Sequence, residues 1–302
     1  TTNRQPRNCP EGFIPVPGNF LYDTTNDSSM GFCVAKYEMK ADKDGDGIGD
    51  LVSDYPAMTS TYNTWYFSED SNITLVSTPE GSPIANIKQT EAITACESIG
   101  GHLITNNEWM TLARNIEQVP SNWSSGTIGE GYLPRGNTNL GRTGSSPDPE
   151  GTGNNKRTLS LTNGEVIWDL AGNVWEWTNN SITQKDQPDG FNDVDDSSYI
   201  GDEWFDYSKG GGAGVYITSD NLGDTTLEYK DLFLLTSNKY NADNNGVGRI
   251  YIYSNDTSTT PRVFLRGGSW FDSSYSGLLA LDLFDDSGYL YYYIGLRCAV
   301  VP

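Results

Sequence analysis

Two stretches of the chain place apolar residues at helical spacing. From about residue 90 to 99, Ala92, Ile93, Cys96 and Ile99 share one face and Gly100-Gly101 ends the run, which predicts a short amphipathic helix with a glycine stop. Thr105-Asn106-Asn107-Glu108 then forms a capping box, and Trp109, Leu112, Ala113 and Ile116 follow at the same spacing, predicting a second helix. Ahead of both, "GFIPVPGN" reads as an extended segment interrupted by Pro15 and Pro17, while "GFCVAKYEMK" alternates apolar and polar residues as a half-buried strand does. After residue 118, Gly, Asn, Ser and Pro dominate up to "EVIWDLAGNVWEWT" at 165–178. The stretch at about 179–260 has no sustained period and reads as a long surface insertion, with "LEYKDLFLL" and "GRIYIYS" as its strand candidates. From Val263 the pattern is strand-like to the end. Leu279, Leu281 and Leu283 alternate there with Ala280, Asp282 and Phe284, so one face is expected inside and the other out.

Two helices among short strands, with 33 Gly and 14 Pro, give an α+β class with irregular connections. The 36 aromatic residues, eight Trp, eighteen Tyr and ten Phe, are enough to build a sizeable core in 302 residues. Charge narrows the partners: a net −21 repels phosphate backbones and anionic lipid, so nucleic acid is not expected. No run approaches the roughly 20 apolar residues of a membrane span, and no membrane insertion is expected. Cys9, Cys33, Cys96 and Cys298 are widely spaced with no CxxC, which argues against a zinc cluster and for disulfides in an extracellular or virion-exposed protein. Three pairings are open at this point.

Five segments carry a resemblance. In order, "FCVAKYEMK", "GGHLITNNEWMTLARNI", "LAGNVWEWT", "FLRGGSW" and "IGLRCAV" resemble the formylglycine-generating-enzyme branch, also called the sulfatase-modifying-factor type, of the C-type lectin fold. The resemblance runs from residue 32 to 300 and does not cover 179–260. It implies a single domain over 1–302, with two helices flanking small twisted antiparallel sheets, long irregular loops and paired chain ends. Gly172, Gly267 and Gly268 then suit tight turns, and Trp175, Trp177 and Trp270 fill space between loops. It also implies a bridge between Cys96 and Cys298, with Cys9 and Cys33 as the other pair.

Within this fold the residues weigh against catalysis. The oxidase branch relies on reactive cysteines soon after the segment matching "RGGSW", whereas this chain has "FDSSYSG" there; His102 is the only histidine, so neither a His-rich iron site nor a Ser-His-Asp triad can be assembled. A relative of that oxidase is therefore a remote alternative, and the expectation is that the chain is not an enzyme. A calcium-dependent carbohydrate-binding lectin is the nearer one; Gln187-Pro188-Asp189 matches a tripeptide of such lectins but lacks a Trp-Asn-Asp partner. The closer resemblance is to the variable proteins of diversity-generating retroelements, which carry a diversified segment between "RGGSW" and "IGFRCA". Here the closing motif is "IGLRCA".

That resemblance makes a countable prediction. Adenine mutagenesis of Asn codons cannot yield Trp, Met, Lys, Glu or Gln. Those five types number 40 of 302 residues, so about three are expected in 23 residues on background composition, yet 271–293 contains none. The implied variable, ligand-binding positions are Phe271, Asp272, Tyr275, Asp282, Phe284, Asp285, Asp286, Tyr289, Leu290, Tyr291, Tyr292 and Tyr293, with Ser273, Ser287 and Gly288 less firmly placed. Tyrosine suits such a surface because its large amphipathic ring has few rotatable bonds.

The segment "DKDGDGIGD" at 42–50 sets Asp42, Asp44 and Asp46 at alternate positions, Gly47 at a turn and Asp50 beyond. With the Ile48 carbonyl, these can supply the oxygens that calcium needs in a structural loop site. The resemblance adds Asn173 and Glu176 as weaker metal ligands. The expected protein is a non-catalytic receptor-binding domain on a virion (tail or fibre) or cell surface. It recognises a variable protein or glycan target on a host or other cell; oligomeric state is left open, though a homo-oligomer would gain avidity.

Overall fold

The computed structural model describes residues 8–24, 31–54, 64–67, 73–138, 150–188, 202–205, 225–232, 242–253 and 257–302. In chain order the strands and helices are β1 (Phe13–Val16), β2 (Phe32–Ala35), β3 (Lys40–Asp42), β4 (Trp65–Tyr66), β5 (Thr74–Val76), β6 (Ile84–Ala85), α1 (Gln89–Ser98), β7 (His102–Leu103), α2 (Asn106–Glu117), β8 (Thr158–Ser160), β9 (Val166–Trp168) and β10 (Trp175–Thr183). They continue as β11 (Asp202–Phe205), α3 (Tyr229–Leu232), α4 (Ala242–Asn245), β12 (Ile250–Tyr253), β13 (Pro261–Arg266), β14 (Leu281–Asp282), β15 (Ile294–Leu296) and β16 (Cys298–Val300). Among the described residues, no helix is long and apolar enough to cross a membrane.

Both expected helices form where their signals lie. In α2 the Thr105 hydroxyl accepts from the Glu108 amide and the Glu108 carboxylate accepts from the Thr105 amide, which satisfies two of the orphan donors of the first turn. In α1, Ala92 and Cys96 are buried while Ile93 and Ile99 lie partly buried against the same core.

Sheet order brings the chain ends together. A four-stranded sheet runs β1-β2-β16-β7, so the last strand lies beside the second. Disulfides join Cys9 to Cys33 and Cys96 to Cys298, tying α1 to β16. The alternation expected for "GFCVAKYEMK" is not what β2 shows: all four of its residues are buried. The strand lies between β1 and β16, and its two faces serve two cores, with Phe32 and Val34 in one and Ala35 in the other.

The larger sheet has six strands in the order β11-β12-β14-β13-β10-β15. It is mixed rather than purely antiparallel, since β10 pairs with β15 and β12 with β14 in parallel. Two of its strands, β11 and β12, come from within 179–260, and Leu232, Val247, Ile250 and Ile252 from the same stretch are core residues. Part of the expected surface insertion is therefore built into the fold. "GRIYIYS" supplies β12 as expected, but "LEYKDLFLL" supplies the helix α3 in its described part.

Trp65, Trp109 and Trp177 are fully enclosed, Trp175 is buried and Trp270 is only half-buried. Gly268 shows why glycine is needed before the candidate segment. Its φ is +83°, and an added Cβ would lie 2.5 Å from the Cα of Ser276, closer than real Cβ contacts come and in a backbone region that disfavours side chains.

Candidate functional site

The segment 271–293 is not a strand closing the sheet. Apart from the two residues of β14 and a single 3-10 turn at Ser273–Tyr275 it is turns and irregular chain. What holds it is a series of donors from outside the segment, each directed at a main-chain carbonyl. Trp109 Nε1 donates to Leu278 O at 2.9 Å and Arg266 Nη1 to Leu279 O at 3.2 Å. Gln187 Nε2 donates to Leu283 O at 2.8 Å, Arg262 Nη1 to Phe284 O at 2.6 Å and the Val263 amide to Asp285 O at 2.9 Å. At the far end the Asn86 amide donates to Tyr291 O at 2.9 Å, Thr64 Oγ1 to Tyr292 O at 3.1 Å and the Trp175 amide to Tyr293 O at 2.8 Å. Backbone groups require partners whatever side chain they carry, so this frame fixes the path of the chain without reference to side-chain identity.

Arg266 in turn is held. It is fully buried, with Nε and Nη2 donating to Asn106 Oδ1 and Nη2 to Asp231 O. Gln187 is also fully buried, and its Oε1 accepts from the Tyr253 amide. The first residue of the lectin-like tripeptide is thus a framework anchor, and Asp189 lies outside the described residues.

The side chains divide into three groups. Phe271, Tyr289 and Tyr291 are exposed at 44%, 37% and 38%, and Asp286 is exposed as well; Leu290, Tyr292 and Tyr293 are half-buried. These rings touch one another: Tyr289 and Tyr291 are parallel to within 1° with centroids 6.1 Å apart, Tyr291 lies 4.4 Å from Tyr292 and 4.5 Å from Tyr293, and Phe271 meets Tyr293 edge-on at 4.7 Å. A second group is backed by framework aromatics that sequence reasoning missed. Tyr275 stacks on Trp204 at 5.0 Å, with the Arg249 guanidinium 4.6 Å from its ring; Phe284 packs 5.7 Å from Tyr251 and 4.9 Å from Tyr253. Trp204, Tyr251 and Tyr253 belong to β11 and β12, and the alternating Tyr pair of "GRIYIYS" was the one available signal.

The third group faces inward. Asp272 is half-buried and accepts from the amide and hydroxyl of Ser269, and this enclosure pushes its carboxyl above the usual range. Asp285 is 8% exposed. Burial, reinforced by Asp286 and opposed by Arg262, pushes its pKa up to about 7. The alternation expected over 279–284 holds only from Leu281 onward. Leu278, Leu279 and Ala280 are all buried, because they form the turn clamped beneath Trp109 and Arg266 rather than strand.

The acidic loop brings together part of its predicted set. Single oxygens of Asp42, Asp44 and Asp50 lie within 4.8 Å of one another. The amides of Gly45 and Gly47 donate to Asp42, and the Lys43 amide donates to Asp50, orienting both carboxylates. Asp46 is not in that cluster; it is exposed and accepts from the Ile48 amide.

Asn173 and Glu176 sit elsewhere, in a buried polar network rather than an open ligand set. Both Glu176 oxygens accept from Arg297, whose other donors reach the carbonyls of Ala35, Trp168 and Asp169. Asn173 donates to Glu38, which burial, with Asp169 and Glu176 near it, pushes well above the usual carboxylate range.

The sequence matches the family model of the sulfatase-modifying factor enzyme 1-like domain over residues 22–301. No curated protein sequence gives a significant match. Among solved structures, the Major Tropism Determinant I1 variant is 16% identical, with 99% of this chain and 54% of that one covered at a TM-score of 0.40. The P3c variant is 15% identical, with 97% and 53% covered at 0.41. Treponema denticola variable protein 1 is 12% identical, with 100% and 92% covered at 0.39. The chain spans about half the length of the Major Tropism Determinant structures. Scores this low bear on none of the functional points.

Proposed function

The chain belongs to the sulfatase-modifying factor enzyme 1-like domain family, and within it we propose a non-catalytic binding protein whose segment 271–293, diversified by a retroelement, presents exchangeable side chains to a variable target. The observation that carries this reading is the row of outside donors on the carbonyls of 278, 279, 283–285 and 291–293, with the rings of Phe271, Tyr289 and Tyr291 turned to solvent. A main chain held largely by donors from outside the segment leaves most of its side chains free to change, although Asp272, Asp282 and Asp286 each also accept from a main-chain amide, and a preordered surface loses less entropy on binding. Phe271, Asp286, Tyr289, Leu290, Tyr291, Tyr292 and Tyr293 are the ligand-facing members. Tyr275, Asp282 and Phe284 form the margin, while Asp272 and Asp285 are variable positions whose side chains turn inward. The absence of any cysteine in 271–293, together with the engagement of all four cysteines in disulfides, supports binding over thiol-based oxidation. The disulfides also support a virion or cell-surface location, where oxidising surroundings preserve them. The target is a protein or glycan on another cell.

A library test follows. Randomising the exposed Phe271, Tyr289 and Tyr291 together should leave most variants protease-resistant, with melting temperatures within about 5 °C of the parent, since exposed substitutions typically change stability by about 0.5 kcal/mol or less each. Randomising Leu278, Leu279, Leu281 and Leu283 should unfold most. Equal damage from the two libraries would reject the reading. The encoding genome should carry a reverse transcriptase and a near-copy of codons 271–293 that differs at adenines.

We also infer that the acidic loop binds calcium through Asp42, Asp44 and Asp50, with the Ile48 carbonyl as a further ligand. The convergence of three carboxylates, each oriented by a main-chain amide, favours it. Calcium at 100 times its dissociation constant should raise stability by about 2.7 kcal/mol, and Asp42→Asn should abolish the gain. A titration that shows neither heat nor a change in melting temperature removes the site.

A further inference from the structure

We infer that the tyrosine surface of this chain is built for a cationic partner, a protein surface presenting Arg or Lys side chains to Tyr289, Tyr291 and Asp286. The inference rests on the binding reading above and adds the chemistry of the partner.

Three observations carry it. First, residues 267–296 contain no Lys, Arg or His but include Asp272, Asp282, Asp285 and Asp286, in a chain of net charge −21. The surface therefore repels anionic groups and steers cationic ones toward itself.

Second, ring faces are sites for cations, because the aromatic quadrupole is negative on the face. The fold already uses this next door. Arg249 lies 4.6 Å from the Tyr275 ring centroid, and Arg262 lies 4.9 Å from Tyr253 and 5.7 Å from Phe284. Those rings have cations supplied from within the chain. Among the described residues no Lys or Arg lies over Phe271, Tyr289 or Tyr291, which are also the exposed ones.

Third, an exposed carboxylate shares a turn with the first of the exposed tyrosines, its Oδ1 accepting from the Gly288 amide. Asp286 is exposed, and the Tyr289 amide donates to its carbonyl, which keeps the two residues in one turn. Burial raises the pKa of the Tyr289 phenol, and the negative charge of Asp285 and Asp282 adds to the rise. A guanidinium or ammonium docked here gains a ring face and a carboxylate at once.

The test uses the full chain and three immobilised peptides of about twelve residues: alternating Arg-Gly, alternating Glu-Gly and Ser-Gly. The Arg-Gly peptide should bind, and raising salt from 50 to 500 mM should weaken it about tenfold or more. Tyr291→Ser and Asp286→Asn, both exposed positions, should each weaken it by about threefold to tenfold with melting temperature unchanged. Glu97→Gln, an exposed acid on α1, should leave binding as it was, which separates this surface from the general negative charge of the chain. The inference is overturned if the Arg-Gly peptide does not bind, if Glu97→Gln weakens it as much as Asp286→Asn, or if the Ser-Gly or Glu-Gly peptide binds equally. Binding of a neutral glycan with the same dependence on Tyr291 would also overturn it. If the randomised library folds while the peptide fails, only the partner chemistry is wrong and the binding reading stands.

Discussion

Arg297→Met should cost about 3–5 kcal/mol of folding stability, the range for removing one partner of a buried ion pair. Arg297 is fully enclosed and gives two hydrogen bonds to Glu176 Oε1 and one to Oε2, together with bonds to the carbonyls of Ala35, Trp168 and Asp169. It therefore joins β2, the end of β9, β10 and the loop after β15 into one unit. Methionine retains much of the length but leaves Glu176 as a buried carboxylate beside Glu38, with carbonyls stripped of donors. Lysine is no rescue, since one ammonium cannot reproduce a planar fork aimed at oxygens on different elements. Two controls isolate the cause. Arg297→Met with Glu176→Met should recover part of the loss, because a missing pair is cheaper than a broken one. The deficit of the single variant should also shrink as pH falls, since burial raises the Glu176 pKa and protonation removes the stranded charge. Urea titration at pH 5 and pH 8 measures both, and a single-variant loss below about 1 kcal/mol would show that packing alone holds these elements.

This network also explains which features could be read from the chain beforehand. Glu176 and Arg297 both stood in recognised motifs, yet "GNVWEW" and "IGLRCA" bring together residues 121 positions apart, and no local pattern says that one carboxylate meets the other guanidinium. Local signals did better. The helices were legible because a capping box and a glycine stop act within a few residues, and the acidic loop was legible from its alternate spacing, although Asp46 is not part of the cluster. The roles of β11 and β12 were hidden. Each is four residues long, and their place in the sheet depends on β12 pairing with β14 across a long connection, with β11 at the edge beyond it. The exposure of the tyrosines followed from composition and place in the segment, but the inward turn of Asp272 and Asp285 did not, since both are fixed by contacts with Ser269, Arg262 and Val263.

Asp285 makes the second large expected effect one of pH. Its carboxyl is buried, its carbonyl is held by the Val263 amide, and its pKa is pushed up to about 7 by burial first and by Asp286 second, with Arg262 opposing. In the unfolded chain an aspartate titrates near pH ~4. A group whose pKa is higher in the folded state stabilises that state fully below the unfolded value and loses this contribution as pH rises through the folded value. Wild-type stability should thus decline between about pH 4 and 7, and this one carboxyl accounts for up to about 4 kcal/mol of the decline, since each tenfold difference in proton affinity between folded and unfolded chain is worth about 1.4 kcal/mol. Asp285→Asn keeps the shape and cannot ionise. The variant should match the wild type at pH 4 and exceed it at pH 8 by about 2–4 kcal/mol, read as a pH-dependent gap between two denaturation curves. Other raised carboxyls such as Glu38 and Asp272 contribute equally to both proteins and cancel in the difference. A gap of the same size at both pH values would mean that Asp285 is already ionised at low cost in the fold. A buried aspartate that costs stability at neutral pH is hard to account for as framework. It is what a segment filled by mutation and retained for binding would tolerate, so the pH gap also bears on whether position 285 was chosen for folding at all.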